Sequence, residues 1–291
     1  MRKHLFYLPL MLTAALGCSV FERVKEKSGV ASDPRRSVAV PQGLNHAAAD
    51  AQIYADDSVL VRLPNETEVF FGGETAPSTP AQLTDKLARA VGATAADGGK
   101  KALYVAAAAE NRFGSLADLF RLAEEKGYEK FRLVVRPSAY SPFDHALKIE
   151  APDEWVRKSF PVIADTAGPE AVIPKPNPNT LLVEIDAEAR TRLNKEEHSP
   201  EKLSALLFEV FRQRELYGIF REGTNEIEKT VFIKAAPSVK YADAVRVVDA
   251  LAQSGSDKIV LLTGYVVVLP DRVTVHTVTL PEASQSGNSG K

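Results

Sequence analysis

Residues 102–135 read ALYVAAAAENRFGSLADLFRLAEEKGYEKFRLVV, and residues 230–263 read TVFIKAAPSVKYADAVRVVDALAQSGSDKIVLLT. The two stretches align without a gap, 128 positions apart. Five positions are identical: Ala107/Ala235, Ala108/Ala236, Gly127/Gly255, Lys130/Lys258 and Leu133/Leu261. The apolar positions coincide more widely, at Leu103/Val231, Tyr104/Phe232, Val105/Ile233, Phe113/Tyr241, Phe120/Val248, Phe131/Ile259 and Val134/Leu262. Apolar spacing shared over this length is what one structural unit used twice produces. It sets the domain count and argues for a binding module rather than an enzyme.

Reading outward from the second copy, Thr180 to Asp186 is apolar and β-prone, and Ala189 to Leu193 follows a short turn, as in a hairpin. Ser199-Pro200 supplies an N-cap and a first-turn proline. Leu203, Leu206, Leu207, Val210 and Phe211 then follow at helical spacing. Thr230 to Ala235 reads as a strand, and Tyr241, Ala244, Val245, Val248, Leu251 and Ala252 as a second helical stripe. Gly255 stands where a helix ends, and Lys258 to Thr263 reads as a buried strand. The first copy repeats the order: a hairpin at Val59–Leu63 and Glu68–Phe71, a helix over Ser78–Val91 opened by Thr79-Pro80, a strand at Leu103–Ala107, a stripe at Phe113, Leu116, Ala117, Phe120 and Ala123, then Gly127 and a strand at Lys130–Val135.

The fold class expected is therefore α+β: two similar β-β-α-β-α-β domains, each a small mixed sheet with two helices on one face. Asp118/Arg121 and Arg246/Asp249 each give an (i, i+3) pair on what spacing makes a solvated helix face. Copy one continues through a possible strand at His145–Ala151 and a Pro-rich stretch, Pro161–Pro178. Copy two continues into Tyr265–Leu269 and Val273–Leu280, which alternate as two further strands.

The N-terminus opens with Arg2, Lys3 and His4, then an apolar run from Leu5 to Leu16 that is too short for a span of about 20 residues. The run ends Ala15-Leu16-Gly17-Cys18, and Cys18 is the chain's one cysteine. This resembles the bacterial lipoprotein signal, in which cleavage precedes a cysteine that is then acylated. The resemblance implies lipid attachment at Cys18, with Ser19 favouring the outer membrane. The expected organisation is 1–17 signal peptide, 18–52 lipidated tether, 53–151 first domain, 152–178 linker, 179–281 second domain and 282–291 disordered tail. As a coil, the tether would reach on the order of 30 Å. Composition is that of a globular protein, 45% hydrophobic and 25% charged, and the net charge of −2 gives no basic field for nucleic acid.

The segments Leu181-Leu182-Val183-Glu184-Ile185-Asp186, Leu193-Asn194, Val231-Phe232-Ile233-Lys234-Ala235 and Tyr241 through Ala250, closed by Gly255 and Ile259-Val260-Leu261-Leu262, together resemble the periplasmic domain of the ExbD/TolR family. The resemblance covers roughly residues 178–270, and more loosely 55–137. Members of that family are accessory subunits of proton-driven motors, with one transmembrane helix carrying an essential aspartate and a dimerising periplasmic domain that engages partner proteins or the cell wall. This chain departs from the family in two respects. No membrane helix follows the signal, so no residue matches that aspartate, and two domains stand in tandem. The second departure suggests an internal pair in place of a dimer of chains.

Chemistry-bearing patterns are few. The histidines His4, His46, His145, His198 and His276 lack ligand spacing, and no metal or cofactor is expected. Gly98-Gly99-Lys100-Lys101 lacks the P-loop pattern and reads as a turn. The carboxylate pairs Asp56/Asp57, Glu124/Glu125 and Glu196/Glu197 fall on loops or solvated faces, whereas a catalytic pair needs burial. The expectation is a non-catalytic envelope lipoprotein docking a partner protein or peptidoglycan at the periplasmic face of the outer membrane, with no small-molecule substrate. The alternative is an accessory subunit of a proton-driven biopolymer transport complex. The candidate partner-binding residues are Tyr241, Asp243 and Asp249, matched to the family pattern, with Tyr265 and Val267 on a strand able to pair by β-augmentation.

Overall fold

The computed structural model describes residues 34–42, 48–50, 52–55, 58–92, 102–136, 144–159 and 178–263. The fold is mixed α+β. Its strands are β1 (Ala48–Ala49), β2 (Val59–Leu63), β3 (Phe70–Phe71), β4 (Leu103–Ala107), β5 (Lys130–Val135), β6 (His145–Glu150), β7 (Leu182–Ile185), β8 (Thr191–Leu193), β9 (Glu196–Glu197), β10 (Thr230–Ala235) and β11 (Lys258–Leu261). Its helices are α1 (Pro80–Val91), α2 (Phe113–Glu125), α3 (Glu154–Ser159), α4 (Pro200–Tyr217) and α5 (Tyr241–Gln253).

Local chemistry explains where the elements begin and end. Thr79 and Gln82 close a capping box at the start of α1, and the Ser199 hydroxyl accepts from Lys202 N–H at the start of α4. Prolines 80 and 200 occupy first-turn positions where no N–H is needed. Beyond α2 and α5 the chain turns through Gly127 and Gly255, at φ +89° and +83°. A side chain rarely adopts that conformation, which accounts for glycine being among the few identities between the copies.

The strand registers of the two halves are superimposable. In the first, β2 and β4 pair in parallel with Leu60 opposite Tyr104; in the second, β7 and β10 pair with Leu182 opposite Phe232. Parallel β4–β5 sets Leu103 opposite Phe131, and parallel β10–β11 sets Val231 opposite Ile259, each partner 128 residues on. Antiparallel β2–β3 and β7–β8 place Phe71 and Leu193 opposite Val61 and Val183.

The sequence expectation of a separate small sheet in each half meets a different arrangement. Among the described residues the strands form one sheet, ordered β3-β2-β4-β5-β6-β11-β10-β7-β8-β9, with β1 against β6. Strand β6 is antiparallel to β5 and parallel to β11. The triplets β2-β4-β5 and β7-β10-β11 therefore run in opposite directions on either side of β6, as a two-fold axis through the sheet requires. An open sheet edge is a template for pairing, and the two halves satisfy that demand within one chain.

All four long helices lie over one face. Val61, Val105 and Leu133 of the first half and Val183, Ile233 and Leu261 of the second share a continuous core with Leu87, Phe120, Leu207 and Val245. The other face is also covered, so these strands read as near-continuous apolar runs. Over the first half, Ile53 packs on Leu60, Tyr104, Ala106, Val134 and Ala146. Over the second, Val156 of α3 packs on Leu182, Phe232, Val260 and Leu262.

Both coverings draw on segments expected as tether and linker. The described residues 34–42, read as part of a tether, are held down by the buried Arg62, which donates to Pro34 O at 2.6 Å and Ser37 Oγ at 2.9 Å, and also to Gly72 O at 2.9 Å and Glu74 O. Tyr104 Oη donates to Asp50 Oδ2 at 2.9 Å, and Tyr54 Oη donates to Asp144, whose other oxygen takes Arg136 Nε at 2.8 Å. The linker expected over 152–178 begins with α3. Its Asp153 accepts Val156 N–H at 2.8 Å as an N-cap would and Lys258 Nζ at 2.7 Å. Neither covering segment is periodic enough to announce itself in the sequence. Each is ordered by an apolar residue reaching a sheet face built elsewhere. The signal peptide, Cys18, the Pro-rich stretch from 160 to 177 and the C-terminal 264–291 lie outside the described residues.

Candidate functional site

The loops entering α2 and α5 meet head to head. Phe113 N–H donates to Val239 O at 2.7 Å, and Tyr241 N–H donates to Asn111 O at 2.7 Å. Gly114 N–H donates to Pro237 O at 2.9 Å, and Ala242 N–H donates to Ala109 O at 3.1 Å. Each bond maps onto its partner when 128 is added to one residue and subtracted from the other. The first N–H groups of a helix have no intrahelical acceptor, and here each helix takes its acceptors from the other half's entry loop. Arg112 and Lys240 bridge antiparallel at the centre, and Lys240 Nζ stands 2.6 Å from Glu110 Oε2. A Cβ on Gly114 would meet Pro237 Cβ at 3.0 Å and its carbonyl oxygen at 3.2 Å, so a side chain there would press on Pro237.

The sequence-derived binding residues separate in this geometry. Tyr241 is fully buried at the junction, where Phe113 is its counterpart, and burial pushes its phenol above the ordinary range. Its hydroxyl has no hydrogen-bond partner among the described residues. Asp249, placed by spacing on a solvated face, is 3% exposed, while its counterpart Arg121 is solvated and pairs with Asp118 at 2.9 Å. Helix α5 is buried around most of its circumference, so helical spacing alone misplaces that aspartate. Asp243 is partly exposed and lies 3.7 Å from Arg246. Tyr265, Val267 and the lipid-attachment candidate Cys18 fall outside the described residues. Of the named set, only Asp243 offers a described, accessible polar atom.

Catalytic and metal candidates are dispersed. Among the described residues no three His, Cys, Asp or Glu side chains are grouped to hold an ion. Glu124 lies 3.3 Å from Arg157, and Glu196 and Glu197 are exposed on an edge strand. His4, His46, His276 and Asp56/Asp57 are outside the described residues, as is the glycine-rich turn at 98–99. Among the described residues no helix is long and apolar enough to cross a membrane.

A cavity of about 260 Å³ in the second half escaped the sequence reading. It opens between the β7–β8 hairpin and the C-terminal half of α4, and Arg214 forms part of its wall. Arg214 is 5% exposed, and desolvation pushes its guanidinium pKa down. A signal was present in the sequence. Leu203, Leu207, Phe211 and Arg214 follow one another at spacings of four, four and three, which puts the arginine on the inward stripe.

Compared with known proteins, the chain matches no family model and no curated sequence.

Proposed function

We propose that this chain is a non-catalytic envelope lipoprotein in which two ExbD/TolR-like β-β-α-β-α-β domains, 53–151 and 179–281, form a pair within one polypeptide and dock a partner protein or the cell wall. The observation that carries the reading is the reciprocal set of backbone hydrogen bonds between the entry loops of α2 and α5. A pair related by a two-fold axis makes the same contact twice, with i meeting j and the counterpart of j meeting the counterpart of i. Such a body needs no second chain to present a two-fold surface. A lipid anchor at Cys18 would hold it at the membrane, where multiple acyl chains give stable attachment.

Fractionation tests the anchor: a Cys18→Ser chain is expected in the soluble periplasm, and persistent membrane association overturns that part. NMR relaxation tests the pair. The halves are expected to share one correlation time, and independent tumbling refutes the reading. In-cell crosslinking and co-sedimentation with peptidoglycan then identify the docking target. Crosslinks to a polytopic inner-membrane protein would favour an accessory role in a proton-driven transport complex.

A further inference from the structure

We propose that the second half carries a binding pocket for a small apolar carboxylate, with Arg214 receiving the carboxylate and the wall of the cavity receiving the apolar body. Leu181, Leu193, Leu206, Val210 and Ile219 line the cavity. Its volume of about 260 Å³ falls just under the ~300–1,000 Å³ usual for drug-sized ligands, which restricts the occupant to a compact group.

The charge at its wall is incompletely matched. Arg214 donates from one terminal nitrogen to Glu228 O at 2.7 Å and from the other to Asn179 O, both neutral acceptors. Among the described residues no carboxylate lies within ion-pairing distance of it. The Glu228 carboxylate attracts it from farther off and offsets part of the cost, but that carboxylate also accepts Thr230 N–H at 2.8 Å and stands 3.8 Å from Arg221 Nε. A buried cation bonded only to carbonyls keeps most of its desolvation cost, and a guanidinium always carries its charge. Tying down a helix end needs hydrogen bonds but no charge, and an arriving anion would turn that cost into binding. Among the described residues Arg214 is the one arginine or lysine lining the cavity and Glu196 lines it as well, so the site suits no more than a monoanion, and the planar guanidinium fork suits a carboxylate.

Two further features lie at the cavity wall. His198 Nε2 is buried with no hydrogen-bond partner among the described residues, and its 3.7 Å separation from Glu196 Oε2 is too long for one. Tyr217 lines the cavity and is itself 69% exposed. The site also belongs to one half alone. Aligned on their caps Thr79 and Ser199, α1 ends after 12 residues and α4 after 18, so Arg214 has no counterpart in α1.

The sequence led to no expectation of a small ligand, and this pocket revises that; it does not rest on the envelope reading. The same chemistry occurs in a free aliphatic acid and in the C-terminus of a peptide ending in an aliphatic residue. The test is a methyl NMR titration of the full chain, following Leu193 and Ile219, with octanoate, 1-octanol and acetyl-Leu-Leu bearing a free carboxyl end. Octanoate or the peptide is expected to bind at least tenfold tighter than octanol, and the tighter of the two identifies the source. Val210→Phe, which fills the cavity, is expected to abolish binding, and Arg214→Gln to weaken it about tenfold. Equal affinity for octanol and both acids, or undiminished binding to Val210→Phe, overturns the proposal. Should Arg214→Gln fail to fold, the octanol comparison and Val210→Phe still decide.

Discussion

Replacing Tyr241 by Phe should stabilise the protein, against the rule that core substitutions destabilise. The residue is fully buried, and its hydroxyl finds no partner among the described residues. Leaving a buried hydroxyl unsatisfied costs about 1–3 kcal/mol. Removing the oxygen leaves a void on the order of 10 Å³, about one water-sized probe, which at ~24 cal/mol per Å³ costs only about 0.2 kcal/mol. The balance is a gain of roughly 1–3 kcal/mol. The other half already carries this solution, because Phe113 occupies the counterpart position. Urea unfolding of wild type and Tyr241→Phe measures the difference directly: the midpoint should rise with an unchanged m-value. For a chain of this size the melting temperature should rise roughly 2–4 °C per kcal/mol. A loss of 1 kcal/mol or more would refute the reasoning, since it would mean that the hydroxyl makes a bond worth keeping.

Other perturbations probe the junction and the covering segments. Gly114→Val should destabilise by about 1–3 kcal/mol through overpacking against Pro237, whereas Gly92→Ala, with open space around its Cβ and φ of −70°, should be neutral or slightly stabilising in the same thermal melts. Arg62→Met removes a charged donor from four acceptors and should cost about 3 kcal/mol, with hydrogen exchange accelerating at residues 38–42 well before the sheet is exposed; equal protection there in both proteins would contradict the clamp. Alkaline titration should show two silent tyrosines: burial raises Tyr128 to about 12 and Tyr241 also above its usual range. A phenol whose folded pKa is raised binds its proton more tightly in the folded state. The associated stability is therefore complete below about pH 10 and drains away as pH climbs through the folded values. Absorbance at 295 nm that titrates every tyrosine near pH 10 in the folded chain would disprove this.

Several features were legible from residue order because their causes are local. Thr79-Pro80 and Ser199-Pro200 start helices through bonds spanning three residues, and Gly127 and Gly255 end them through a backbone angle. The repeat in apolar spacing carries even the strand register, since shifting a strand by one residue would turn its core face outward. Other features depended on partners far away in the chain. That the two triplets share one sheet across β6, that Val40, Ile53, Tyr54 and α3 cover its second face, and that Asp249 is buried while Arg121 is not, all follow from packing between segments that no short window contains. Arg214 shows the boundary most clearly. Helical spacing turns it inward, but its acceptors, 35 residues before it and 14 after, are assembled only when the sheet and α4 come together. Dihedral preferences and caps act over a few residues, whereas burial and charge compensation are properties of the assembled volume.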